Sequence, residues 1–266
     1  MKYTQDQLTK LFQYAVNIFN DTMGEEYHIG DDGILLRFFT PDNGIAVYED
    51  FCSTYFPHHL NEDYKRREKY ENISAEAFVG DRCDGVMIRA DLPFPETELI
   101  QIFVHEIAHI YCTRNEIEDG KFYEKYCDAP NHPIYGKNID SRMNGYINAG
   151  YAVWREMIAD IISMEAIMDI CQIRITKKMI RDLYDQVVYG DPGAKASVAR
   201  LTAFVMLKQE KDYAKEYPFF NKSMIRLLEL ADQNLSTQPF FAITPDVIAK
   251  FGSTYLMVLT EKMLKG

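Results

Sequence analysis

The chain has 266 residues, 47% of them hydrophobic and 26% charged, with a formal net charge of −11. That length allows one large domain or two modest ones around a real hydrophobic core. The acidic balance argues against a nucleic-acid-binding surface, and the basic stretch "YKRREK" (64–69) reads as a solvated turn.

The N-terminal stretch "MKYTQDQLTKLFQYAVNIF" lacks the continuous apolar core of a signal peptide, and no apolar run reaches the length of a membrane span. Five cysteines, Cys52, Cys83, Cys112, Cys127 and Cys171, are odd in number and widely spaced. They fit reduced thiols rather than a disulfide framework, so a cytoplasmic location is expected.

In chain order, Leu8, Leu11, Phe12, Ala15, Val16 and Phe19 recur at helical spacing, and Thr4 can cap their helix. "GILLRFF" and "GIAVYEDF" read as strands joined by the turn "TPDNG". Residues 52–72 are irregular. "AEAFVG", the turn "DRCDG" and "GVMIRA" read as a hairpin.

"DLPFPETELIQIFVHEIAHIYC" opens a helix. Pro95 suits the first helical position, and Glu96 and Glu98 place negative charge at the positive end of the dipole. Residues 113–148 carry the turn signals "EDGK", "DAPNHPIYGKN" and "RMNG" and read as a long excursion. "AGYAVWREMIADIISMEAIMDI" is a second long helix. Helices are then expected at 177–188, 194–211, 222–235 and 245–264, the last announced by Thr244-Pro245-Asp246.

This succession implies an α+β fold: a small, mostly antiparallel sheet packed on a central helix, then a largely helical C-terminal part. Three parts are expected, 1–90, 91–175 and 176–266, which could form one compact unit.

The chemistry concentrates in "QIFVHEIAHIYC" (101–112), an apolar helix carrying His105, Glu106 and His109. A polar group taken from water without a partner costs roughly 1–3 kcal/mol. These three therefore need one another, a buried network or a metal ion. At about 100° per residue, His109 lies about 40° around from His105, and all three occupy an arc of about 100°. Imidazoles at i and i+4 can point two nitrogens at one Zn²⁺, while the intervening carboxylate is offset toward a water.

Two histidines leave such a site short of a protein ligand. The second helix offers Glu156 and Asp160, an i, i+4 pair among Val153, Met157, Ala159, Ile161 and Met164. One carboxylate as ligand and the other as acceptor for a ligand imidazole would account for both. An exposed acidic stripe with Arg155 alongside is the plainer reading of the same pair.

"HEIAH" followed by "WREMIAD" resembles the gluzincin, thermolysin-like zinc metallopeptidases, whose signature is HExxH with a downstream ExxxD on a second helix. The resemblance implies a zincin-like fold and one zinc ion held by His105, His109 and Glu156. Glu106 would be the general base, and Asp160 the partner that orients His105. It also implies an edge strand on which a peptide or protein substrate pairs, a place that "GVMIRA" would fill.

The chain departs from that pattern in two ways. The stretch from His109 to Glu156 is longer than in thermolysin, so residues 113–148 read as a lid or specificity loop. No histidine follows His132, so the downstream histidine that stabilises the transition state in thermolysin-like enzymes is missing. Tyr146 and Tyr151 are candidates for that task, although packing is the commoner role for a tyrosine.

"REMIADIIS" after HExxH also resembles the ImmA/IrrE group of regulatory proteases that act on repressors. The same residues would also suit a catalytically idle zinc-containing scaffold, or an enzyme that hydrolyses a non-peptide amide. His58 and His59 could form a second metal site but read more simply as a loop pair. His28 and His132 lie in turn-rich context, and Cys112 reads as a buried thiol.

Overall fold

A computed structural model describes residues 2–60, 65, 67–115, 141–189, 194–237 and 245–263. The chain is α+β and divides into two compact units, 1–114 with 163–173, and 115–162 with 174–266.

The first unit begins with α1 (Gln5–Met23). Thr4 caps it as expected: its side chain accepts from the Gln7 backbone N–H while the Gln7 side chain accepts from the Thr4 N–H. Gly24, in the left-handed conformation at φ 70°, closes its other end. Strand β1 (Ile34–Phe39) is followed by α2 (Gly44–Tyr55), a short 3-10 turn (Pro57–His59) and α3 (Arg67–Asn72). Strands β2 (Ala75–Phe78) and β3 (Asp84–Arg89) precede α4 (Glu96–Arg114).

Three sequence expectations are corrected here. "GIAVYEDF" is the start of helix α2, not a strand. Its buried positions, Gly44, Tyr48, Phe51 and Cys52, recur at helical intervals, and that face closes over an aromatic cluster. The sheet is mixed, not mostly antiparallel: its order is β1-β3-β2, with β1 parallel and β2 antiparallel to β3. "GVMIRA" is the central strand, not an edge. Val86 pairs with Leu36 on one side and Ala77 on the other, so its backbone is committed on both sides.

The region 52–72, irregular in sequence, holds the last turn of α2, the 3-10 turn and α3 around one core. Phe39, Tyr48, Phe51, Phe56, Tyr70 and Phe78 form this cluster, with edge-on pairs such as Phe51–Phe56 at 5.0 Å and Phe39–Tyr70 at 5.8 Å. On the other side α1 lies along α4, where Phe12 meets Phe103 at 5.4 Å and Phe19 meets Tyr111 at 5.7 Å. Strand β2 also packs on α4.

Helix α5 (Ser141–Met168) is one unbroken helix whose last turns belong to the first unit. It starts before the expected Ala149, so the "RMNG" turn signal is overridden and 141–148 are helical. Thr113 and Arg114, also expected in the excursion, are instead the last residues of α4; residues 116–140, including His132 and Cys127, lie outside the described residues, as does Thr244.

In the second unit, α5 crosses α10 (Pro245–Met263) at Gly150 and Gly252, where backbone meets backbone. Trp154 packs edge-on against Phe251 beside that crossing, at 5.5 Å. Helices α6 (Lys177–Tyr189), α7 (Ala194–Leu207), α8 (Tyr213–Glu216) and α9 (Lys222–Thr237) complete it, α6 packing on α7 and α9 on α10. No helix among the described residues is long and apolar enough to cross a membrane.

Candidate metal centre

Helix α4 is apolar on nearly all sides because it is covered on nearly all sides. Leu99, Phe103, Val104, Ile107, Ala108 and Ile110 are all fully buried. Its first turn begins after Pro95, whose carbonyl accepts from Glu98 and Leu99. Its last turn ends in Arg114, which donates to the Asp84 carboxylate at 2.7 Å and to the Gly80 carbonyl. A cation at a helix C-terminus, tied to the start of the central strand, fixes α4 against the sheet.

Within this frame His109 and Glu106 are buried and His105 is half-buried. The Nε2 atoms of His105 and His109 face each other at 3.0 Å, their rings nearly perpendicular. Two imidazole nitrogens can face at this distance by sharing a proton, or by directing both lone pairs at one cation.

Glu156 of α5 joins them. One ligand atom from each of His105, His109 and Glu156 lies within 4.8 Å of the others. Two ligands on a tetrahedral Zn²⁺ stand about 3.3 Å apart, given bonds of about 2.0–2.1 Å. The histidine pair is already near that spacing. Two nitrogens and one carboxylate oxygen are the donor set of a catalytic zinc site that keeps a fourth position open. The residues fit the ion.

The end of α5 is held near this part of α4 by Gln101, whose side-chain amide donates to the Met164 sulfur at 3.2 Å. His109 lies eight residues after Gln101, and Glu156 eight residues before Met164.

Asp160 is buried, only 2% exposed, so it is no part of an exposed acidic stripe. Its Oδ1 lies 3.4 Å from Nε of Arg200 on α7. Sequence reasoning missed Arg200. The available signal was a single cation within the apolar run "SVARLTAFVML", since such a residue needs an acidic partner. Glu156 is less enclosed, its side chain 27% exposed, with Arg155 Nε at 3.6 Å.

The two tyrosines lie upstream on the same helix. Tyr146 stands about 15 Å along the axis from Glu156, and Tyr151 about 140° around it. The Tyr146 hydroxyl accepts from Arg142 Nε at 2.7 Å.

His28, His58 and His59 have local partners. His28 pairs with Asp32 at 2.9 Å, which raises its pKa. His58 and His59 both direct Nε2 at the Val79 carbonyl, at 3.0 and 3.2 Å, and burial lowers the pKa of His59. Cys112 is a buried thiol, and like Cys52, Cys83 and Cys171 it forms no disulfide among the described residues. The chain matches no protein-family model, no curated protein and no solved structure.

Proposed function

We propose that the chain is a zinc-dependent metallopeptidase of the gluzincin type, with a zincin-like arrangement of sheet and helices, acting in the cytoplasm on a peptide or protein. The observation that carries this reading is the grouping of His105, His109 and Glu156 within 4.8 Å beside a buried Glu106. A zinc ion there would supply Lewis-acid polarisation of the scissile carbonyl and acidify the attacking water.

The chain's own residues do the rest. Glu106, fixed on α4 one position from a ligand, takes the proton of the attacking water on a carboxylate oxygen as the C–O bond forms. It then delivers that proton to the amine nitrogen as the C–N bond breaks. Asp160, buried beside Arg200, is the candidate for orienting His105. Because β3 is paired on both sides, an added substrate strand falls to β2, the edge strand that packs on α4.

The test has two parts. Native mass spectrometry of the purified chain should find one zinc ion, removable by chelator; a metal-free chain rejects the centre. Cleavage of a peptide library should stop with chelator, and Glu106→Gln should lower turnover by a factor of about 10²–10⁴ while zinc stays bound. Full turnover in that variant rejects the role of Glu106, and zinc without any cleavage favours an idle scaffold.

A further inference from the structure

The second unit contains a cavity of about 240 Å³ lined by α6, the segment before α9 and the end of α10. Arg181, Tyr184, Asp185, Tyr189, Phe219 and Glu261 line it. Part of its hydrogen-bonding capacity is unused among the described residues.

Arg181 and Asp185 are one helical turn apart on α6, yet among the described residues neither side chain forms an ion pair or hydrogen bond, with the other or elsewhere. The Arg181 guanidinium instead lies over the Phe219 ring, 4.9 Å from its centroid. A stacked guanidinium keeps its N–H edges open in the plane of the group. Tyr184 is 7% exposed, and its hydroxyl oxygen accepts from the Asn221 backbone N–H at 2.9 Å. Its own O–H has no acceptor among the described residues, which leaves a donor available to a ligand. Glu261 uses Oε1 to accept from Ser223 at 2.7 Å, and a carboxylate has acceptor capacity to spare.

The lining therefore offers donors, from Arg181 and the Tyr184 hydroxyl, and acceptors, from Asp185 on the same helix and Glu261 on α10. Two aromatic rings, Phe219 and Tyr189, stand beside them. The volume is below the range of drug-sized pockets, about 300–1,000 Å³, and suits a ligand of amino-acid size.

We propose that this cavity binds a free α-amino acid with an apolar or aromatic side chain. Its carboxylate lies against Arg181 and the Tyr184 hydroxyl, its ammonium against Asp185 and Glu261, and its side chain along Phe219 and Tyr189. The site is independent of the metal centre and of the peptidase reading.

Isothermal titration of the full chain with L-phenylalanine, phenethylamine and 3-phenylpropionate tests it, because the last two each lack one charged group. L-phenylalanine should bind saturably, and each truncated ligand about tenfold or more weakly, the loss expected for one charged hydrogen-bonding group. Arg181→Gln should bring L-phenylalanine down to the affinity of phenethylamine. Asp185→Asn should bring it toward that of 3-phenylpropionate. Both side chains are on exposed residues, and an unchanged melting temperature verifies that the variants fold. Absence of saturable binding overturns the proposal, as does equal affinity for all three ligands or unaltered binding in Arg181→Gln.

Discussion

Gly145 and Gly150 lie five residues apart on α5, and replacing each with alanine should move stability in opposite directions. A Cβ on Gly145 meets nothing within 4 Å. There the change removes only the entropic penalty of a helical glycine, so stability should rise by about 0.5–1 kcal/mol. A Cβ on Gly150 stands 2.1 Å from the Ile248 carbonyl oxygen and 2.8 Å from the Gly252 nitrogen, where ordinary contact begins at 3.4 Å. Backbone atoms cannot rotate aside, so α5 and α10 must part by about 1.3 Å, and a gap of that size forfeits much of the local dispersion energy. Overpacking of this kind costs about 1–3 kcal/mol or more, so a loss near 3 kcal/mol less about 1 for helix propensity leaves a net loss of about 2 kcal/mol. For a chain of this size that is a fall of about 4–8 °C in Tm. Urea and thermal unfolding of both variants would read the split. A Gly150→Ala variant as stable as Gly145→Ala would refute the close crossing, and with it the placement of the helix segment that carries Glu156.

Further outcomes follow from local chemistry. His59 has its pKa lowered by burial, so the fold binds fewer protons there than the unfolded chain; its contribution is full above about pH 6.5 and is lost as pH falls through the lower folded value. His59→Gln should therefore flatten the stability decline between about pH 7 and 5, and an unchanged slope would refute the assignment. Burial pushes the Cys52 thiol up to about 12, so it should resist alkylation at about pH 8 in the native chain and react once urea unfolds it. Arg114→Ala removes the partner of Asp84, which is 7% exposed. Stability should fall by about 1–3 kcal/mol, and Asp84→Asn in the same background should recover part of it.

Much of this protein is local and therefore legible in the sequence. The capping box at Thr4, the helical spacing of α1, the HExxH placement on α4 and the hairpin of β2 and β3 all depend on residues within a few positions of one another. The same holds for the histidines: spacing alone puts His105 and His109 on one face, and the structure adds the 3.0 Å separation. The nature of "GIAVYEDF" was not legible, because a short apolar run fits either period until a neighbouring core selects one face. The aromatic cluster around Tyr70 and Phe78 makes that selection and yields helix α2. Sheet order was equally hidden, since strand pairing joins residues some fifty positions apart, as between Ile34 and Asp84, and local propensity does not encode partners. Arg200 beside Asp160, the close glycine crossing of α5 and α10, and the side chains gathered around Arg181 have the same origin. Sequence determines which groups a helix face carries, through its fixed rise and rotation. Only tertiary packing decides what stands opposite that face, because the partner comes from a distant part of the chain.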